Sequence, residues 1–100
     1  MIYHIFSVFD YGAEHYMTPF YVENEKLAVR MFSDICQDSD SAIARHPSDF
    51  SLFCLGSFNN CSGDFNIHPQ PELVSKAVSF VDSRSAADHI ARAVVAASDS

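Results

Sequence analysis

The stretch Ile2-Tyr3-His4-Ile5-Phe6-Ser7-Val8-Phe9 decides the fold. A strand turns successive side chains to opposite faces, so Ile2, His4, Phe6 and Val8 share one face and Tyr3, Ile5, Ser7 and Phe9 the other. Both faces are largely apolar and rich in β-formers, which predicts a strand in the middle of a sheet rather than at its edge. Asp10, Tyr11 and Gly12 supply turn chemistry after it, and Thr18-Pro19 leads into Phe20-Tyr21-Val22, a short strand whose proline suits a strand start or an edge. The two are expected to pair antiparallel.

Further along, Asn24 is an N-cap for a helix over residues 25 to 37, in which Leu27, Ala28, Met31, Phe32, Ile35 and Cys36 recur at helical spacing. The polar run Gln37 to Ser41 ends it, and the segment through His46-Pro47 reads as a surface loop. Phe50 to Phe58 is a second strong strand, with Phe50, Leu52 and Cys54 on one face, Phe53 and Leu55 on the other, and Gly56 weakening it or marking a bulge. The turn cluster Asn59 to Asp64 and the alternation Phe65-Asn66-Ile67-His68 complete a hairpin. His68-Pro69-Gln70-Pro71 then interrupts the pattern, and Pro71 is expected to open a short helix carrying Leu73, Val74, Ala77 and Val78. In the tail, Ser85 and Asp88 make a capping-box-like pair ahead of a helical face of Ile90, Ala93, Val94 and Ala97.

These pieces predict an α+β fold: a small, mainly antiparallel sheet of about four strands (residues 2 to 9, 20 to 22, 50 to 58 and 65 to 68) covered on one face by the main amphipathic helix. Residues 1 to 80 are read as one domain and residues 81 to 100 as a C-terminal helical extension. Because both faces of the long strands are apolar, the second face is expected to be covered by the C-terminal segments or by another copy in a homodimer.

The 100-residue chain is 48% hydrophobic, with nine Phe and no Trp, enough to build a core without disulfides. No apolar run approaches the roughly 20 residues of a membrane span, and the first ten residues lack the basic start of a signal peptide. Cys36, Cys54 and Cys61 are an odd number without CxxC spacing, which fits a reducing cytoplasm. A net charge of −7 opposes approach to a phosphate backbone unless the cations gather on one face.

Signatures of catalysis are missing. No histidine among His4, His15, His46, His68 and His89 has a partner at HExxH or Cys2His2 spacing, so no metal is expected. Cys36 and Cys54 fall on apolar stripes, and Cys61 lies in a turn without a positioned base. Three glycines cannot build a phosphate-cradling loop or a dinucleotide fingerprint, and no cofactor is expected. Phe6, Phe20, Phe53 and Phe58 could stack bases on a sheet, but aromatics at strand spacing are more often core. The segment with most chemical character is Arg45-His46-Pro47-Ser48-Asp49-Phe50, where a cation, an imidazole and an acid surround a fixed turn. Its bland reading is local bonding of Ser48 and Asp49 to backbone amides. Arg30, Arg45, His46 and Asp49 are the candidate partner-binding residues.

The order of Ile5-Phe6-Ser7-Val8-Phe9-Asp10, Pro19-Phe20, Ala28-Val29-Arg30-Met31-Phe32-Ser33-Asp34, His46-Pro47-Ser48-Asp49-Phe50-Ser51-Leu52, Gly56-Ser57-Phe58, Gly63 and Pro71-Glu72 resembles the small nonstructural protein of gokushovirus-type microviruses, single-stranded DNA phages. The likeness covers about residues 1 to 80. It implies a phage protein made in the host bacterial cytoplasm and absent from the mature shell, associated with the switch from double-stranded copying to single-stranded synthesis and packaging. On that basis the expected function is a protein-binding adaptor, not an enzyme, whose partners are the phage replication initiator, the host helicase or procapsid proteins. The alternative is a single-stranded DNA binder.

Overall fold

The computed structural model describes residues 1–80; the expected tail helix at residues 81 to 100 lies outside them. The elements run β1 (Ile2–Asp10), β2 (His15–Tyr16), β3 (Phe20–Val22), α1 (Glu25–Cys36), α2 (Ala42–Arg45), β4 (Phe50–Asn59) and β5 (Phe65–Lys76). The fold is α+β, built on a five-stranded antiparallel sheet of order β2-β1-β4-β5, with β3 sharing the outer edge of β1 beside β2.

Strand β1 is central, as its two apolar faces require. It pairs with β4 from Ile2↔Asn59 to Asp10↔Phe50, and with β3 through Ile5↔Tyr21. On one face Phe6, Val8, Leu52 and Cys54 join Phe50, Val22 and the helix residues Ala28, Phe32 and Cys36 in the core. On the other face Ile5 and Ser7 are buried as well, and the Ser7 hydroxyl donates to the Met17 carbonyl at 2.6 Å. The turn after β1 is held by Asp10, whose carboxylate accepts from the Gly12 and Ala13 amides at 2.9 and 3.1 Å. The two-residue strand β2 was not foreseen, because so short a pairing leaves no periodicity.

Helix α1 begins where expected: the Asn24 side chain accepts from the Leu27 amide at 2.8 Å. Its buried stripe is narrower than the spacing suggested. Ala28, Phe32 and Cys36 are buried, whereas Leu27, Met31 and Ile35 are 40–42% exposed. Positions four apart form one line down the helix, and on its far side half-buried Val29 packs against the core, so the covered face is turned toward Val29 and away from Leu27, Met31 and Ile35.

Two segments depart from expectation. The surface loop before β4 is instead the short helix α2, capped by Ser41 (Ala44 N to Ser41 Oγ, 3.0 Å), followed by a 3-10 turn at Pro47–Asp49. Ile43 and Ala44 are buried there, closing one end of the core. The helix expected from Pro71 is strand: β5 runs through both prolines to Lys76, and helix begins only at residue 77. The prolines are tolerated because they stand in a large bulge. Ile67 pairs with Gly56 and Glu72 with Cys54, so the four residues 68 to 71 stand opposite Leu55 alone. Residues in a bulge need not donate to the ladder, which is where a sheet accepts proline.

Gly56 marks the same irregularity on β4. It sits at φ +152°, and a Cβ there would run into the Asn66 carbonyl and come within 2.8 Å of Ile67 Cα. Only glycine lets β5 approach this closely.

Candidate functional site

The face of the sheet that no described helix covers carries a run of aromatic side chains. Cross-strand pairing places Tyr3 opposite Phe58 and Phe58 opposite Phe65, while Tyr21 from β3 meets Phe58 with ring centroids 6.1 Å apart. Phe58 and Phe65 lie 4.7 Å apart at a tilted 41°. Together Tyr3, Tyr21, Phe58 and Phe65 line an open recess of about 280 Å³ with no charged residue among the described residues that line it. Tyr21 is 47% exposed and Phe65 57%, and on β5 Ile67 and, farther along opposite Phe53, Leu73 are exposed too. At the other end of the same face Phe9, Tyr16 and Phe53 form a second edge-to-face group, with Phe9–Tyr16 at 4.6 Å. Such pairs hold each other's orientation, so the rings present a preformed surface.

The residues singled out from the sequence lie elsewhere. Arg30 is exposed on α1, in the layer that covers the opposite face of the sheet. Arg45, His46 and Asp49 sit together at the α2 to β4 connection. The Arg45 guanidinium donates to the Asp40 carbonyl at 2.8 Å, the His46 carbonyl accepts from the Asp49 amide at 3.0 Å, and the Asp49 carbonyl accepts from the Tyr11 amide at 2.8 Å. His46 itself is exposed. Next to this turn a cleft of about 300 Å³ is lined by Tyr11, Pro47, Ser48, Phe50, Ser51, Lys76 and Val78. Among the described residues no hydrogen bond ties Arg30 to this group.

Of the four phenylalanines weighed as base stackers, Phe6 is core at 1% exposure and Phe20 stacks on it. Phe53 and Phe58 belong to the open face. The signal for that face was present in the alternation of Tyr3, Ile5, Ser7 and Phe9, but which face the helix would cover was not.

A third arrangement was not visible in the spacing. The bulge brings Cys54, His68 and Glu72 together, with one potential ligand atom from each lying within 4.8 Å of the other two. His68 Nδ1 is buried without a hydrogen-bond partner. Burial pushes the Cys54 thiol above its ordinary pKa, offset in part by the Gly56 carbonyl contact and reinforced by the charges of Glu72 and Glu25.

The geometry defines an α+β protein with one helix-covered face and one aromatic face. The family model described as Phage ORF5 protein matches residues 3–80, and the chain belongs to that family: it is a phage protein. No curated protein and no solved structure matches it.

Proposed function

We propose that this phage protein is a nonstructural protein of the gokushovirus type, acting in the host bacterial cytoplasm as a protein-binding adaptor, without catalytic activity, in the switch from genome copying to single-stranded synthesis and packaging. The aromatic recess carries this reading. Exposed, uncharged aromatic rings are enriched where proteins meet, and isolated soluble surfaces seldom gather them. Covering the exposed half of Tyr21 or Phe65 supplies roughly 1 to 1.5 kcal/mol per ring, half of what full burial of such a side chain gives. Association costs several kcal/mol, so these rings alone support a transient complex, as a switching role requires. The replication initiator, the host helicase and the procapsid proteins are the proposed partners. Arg30, Arg45, His46 and Asp49 are proposed as a separate polar contact outside the recess.

Single-stranded DNA binding is the second reading, favoured by the same rings, since bases stack on exposed aromatics of a sheet. Charge weighs against it. The described cations are Lys26, Arg30, Arg45 and Lys76, and the first three lie on the helices α1 and α2 while none lines the recess. Fluorescence anisotropy with labelled single-stranded DNA at about 50 and about 200 mM salt separates the readings. Absence of binding at the lower salt supports the adaptor. Tight, salt-sensitive binding lost on Phe65→Ser replaces it with the DNA reading.

A further inference from the structure

We propose that Cys54, His68 and Glu72 form a binding site for a divalent transition-metal ion of the zinc type, which clamps the bulge between β4 and β5. The site is independent of the proposed docking role.

Residues four apart in a regular strand are about 13 Å apart, too far to share an ion. Here the four residues from His68 to Pro71 leave the ladder opposite Leu55, which brings His68 and Glu72 back together. Glu72 pairs directly with Cys54, so the thiol meets them from β4. Pro69 and Pro71 fix φ at two of those four positions, lowering the entropy lost in holding the ligands together.

The distances suit an ion after small side-chain rotations. Three atoms at the corners of a triangle with 4.8 Å edges lie about 2.8 Å from its centre. Moving each inward by roughly 0.5 to 0.8 Å reaches the 2.0–2.3 Å of zinc bonds to oxygen, nitrogen and sulfur. The orphan His68 Nδ1 is a second, separate observation: a buried ring nitrogen without a partner is costly, and an ion bound through this nitrogen would satisfy it.

The donor set selects the ion. One thiolate, one imidazole and one carboxylate suit zinc or its neighbours and not magnesium or calcium, which take oxygen ligands. Three protein ligands leave a fourth position open, and exposed Glu72 gives the ion access from solvent. On binding, the Cys54 thiol releases its proton to water and the sulfur lone pair forms the metal bond.

The test is titration of the full chain with Co²⁺, whose thiolate complexes absorb in the near ultraviolet and, when tetrahedral, intensely in the visible, followed by Zn²⁺ displacement against a chromophoric chelator. The expected result is one Co²⁺ per chain with both absorptions, displaced by Zn²⁺ and retained in Cys61→Ser. His68→Gln and Glu72→Gln, at half-buried and exposed positions that tolerate change, should each weaken binding by more than the roughly 10–100-fold that loss of a ligand's hydrogen-bond partner causes. Cys54→Ser should abolish the thiolate absorption. No thiolate absorption in the parent chain, its loss in Cys61→Ser, or unchanged affinity in both Gln variants overturns the proposal.

Discussion

Phe58 and Phe65 face each other across the β4–β5 hairpin with ring centroids 4.7 Å apart, on the side of the sheet that no described helix covers. Phe65 is 57% exposed, so its ring contributes less to the core than to the surface. Phe65→Ser is therefore expected to lower stability by no more than about 1 kcal/mol while weakening partner binding at least about tenfold, as loss of a hot-spot ring does. Denaturant melts and binding measured on the same preparation check both halves.

Core residues should behave oppositely. Phe32 is 1% exposed and meets Phe80 edge-on at 6.0 Å, whereas Met31, its neighbour in sequence, is 40% exposed. Phe32→Ala is expected to cost about 3–5 kcal/mol and Met31→Ala less than about 1. Urea unfolding of the pair measures the difference directly.

That contrast also marks what the sequence made legible. Helical spacing put Leu27, Met31 and Ile35 with Ala28, Phe32 and Cys36 on one stripe; it located the helix, its Asn24 cap and all three residues of its buried line, together with three that are exposed. How wide a stripe a helix buries is set by the sheet beneath it, which spacing does not encode. The strands were readable from alternation, and the proline-rich segment as a break, but its outcome was not. His68 to Pro71 interrupt the register and the strand then resumes, because a bulge opposite Leu55 removes the ladder bonds that proline cannot make. The same bulge explains why the Cys54, His68 and Glu72 cluster carried no motif: its ligands come together through an irregularity rather than a repeat.

Gly56 is where the two strands come closest. Gly56→Ala places a Cβ against the Asn66 carbonyl at a φ of +152°, which L side chains rarely adopt. The expected loss exceeds about 1 kcal/mol, and amide exchange across β4 and β5 should accelerate while that of α1 changes less. Equal acceleration in both elements would contradict a local role.

Alkaline pH should destabilise the fold through Cys54. Its pKa in the folded chain is raised above the ordinary 9.0, chiefly by burial. The folded state therefore keeps a proton that the unfolded chain releases, so stability is unaffected well below pH 9.0 and falls as pH rises through and beyond it. Cys54→Ala removes this contribution, and the difference in slope between the two chains, from chemical denaturation at pH 7 to 10.5, is the observable. Parallel slopes would refute the assignment.

The most direct test of the adaptor reading is binding of the purified chain, its Tyr21→Ser/Phe65→Ser variant and its Arg30→Glu/Arg45→Glu variant to the purified phage replication initiator, host helicase and procapsid proteins in turn. The parent should bind one of them, the aromatic double variant should lose at least about tenfold in affinity while melting as a folded protein, and any loss in the charge variant should be smaller. Equal affinity for the parent and the aromatic variant would contradict the central claim that the recess of Tyr3, Tyr21, Phe58 and Phe65 is the docking surface.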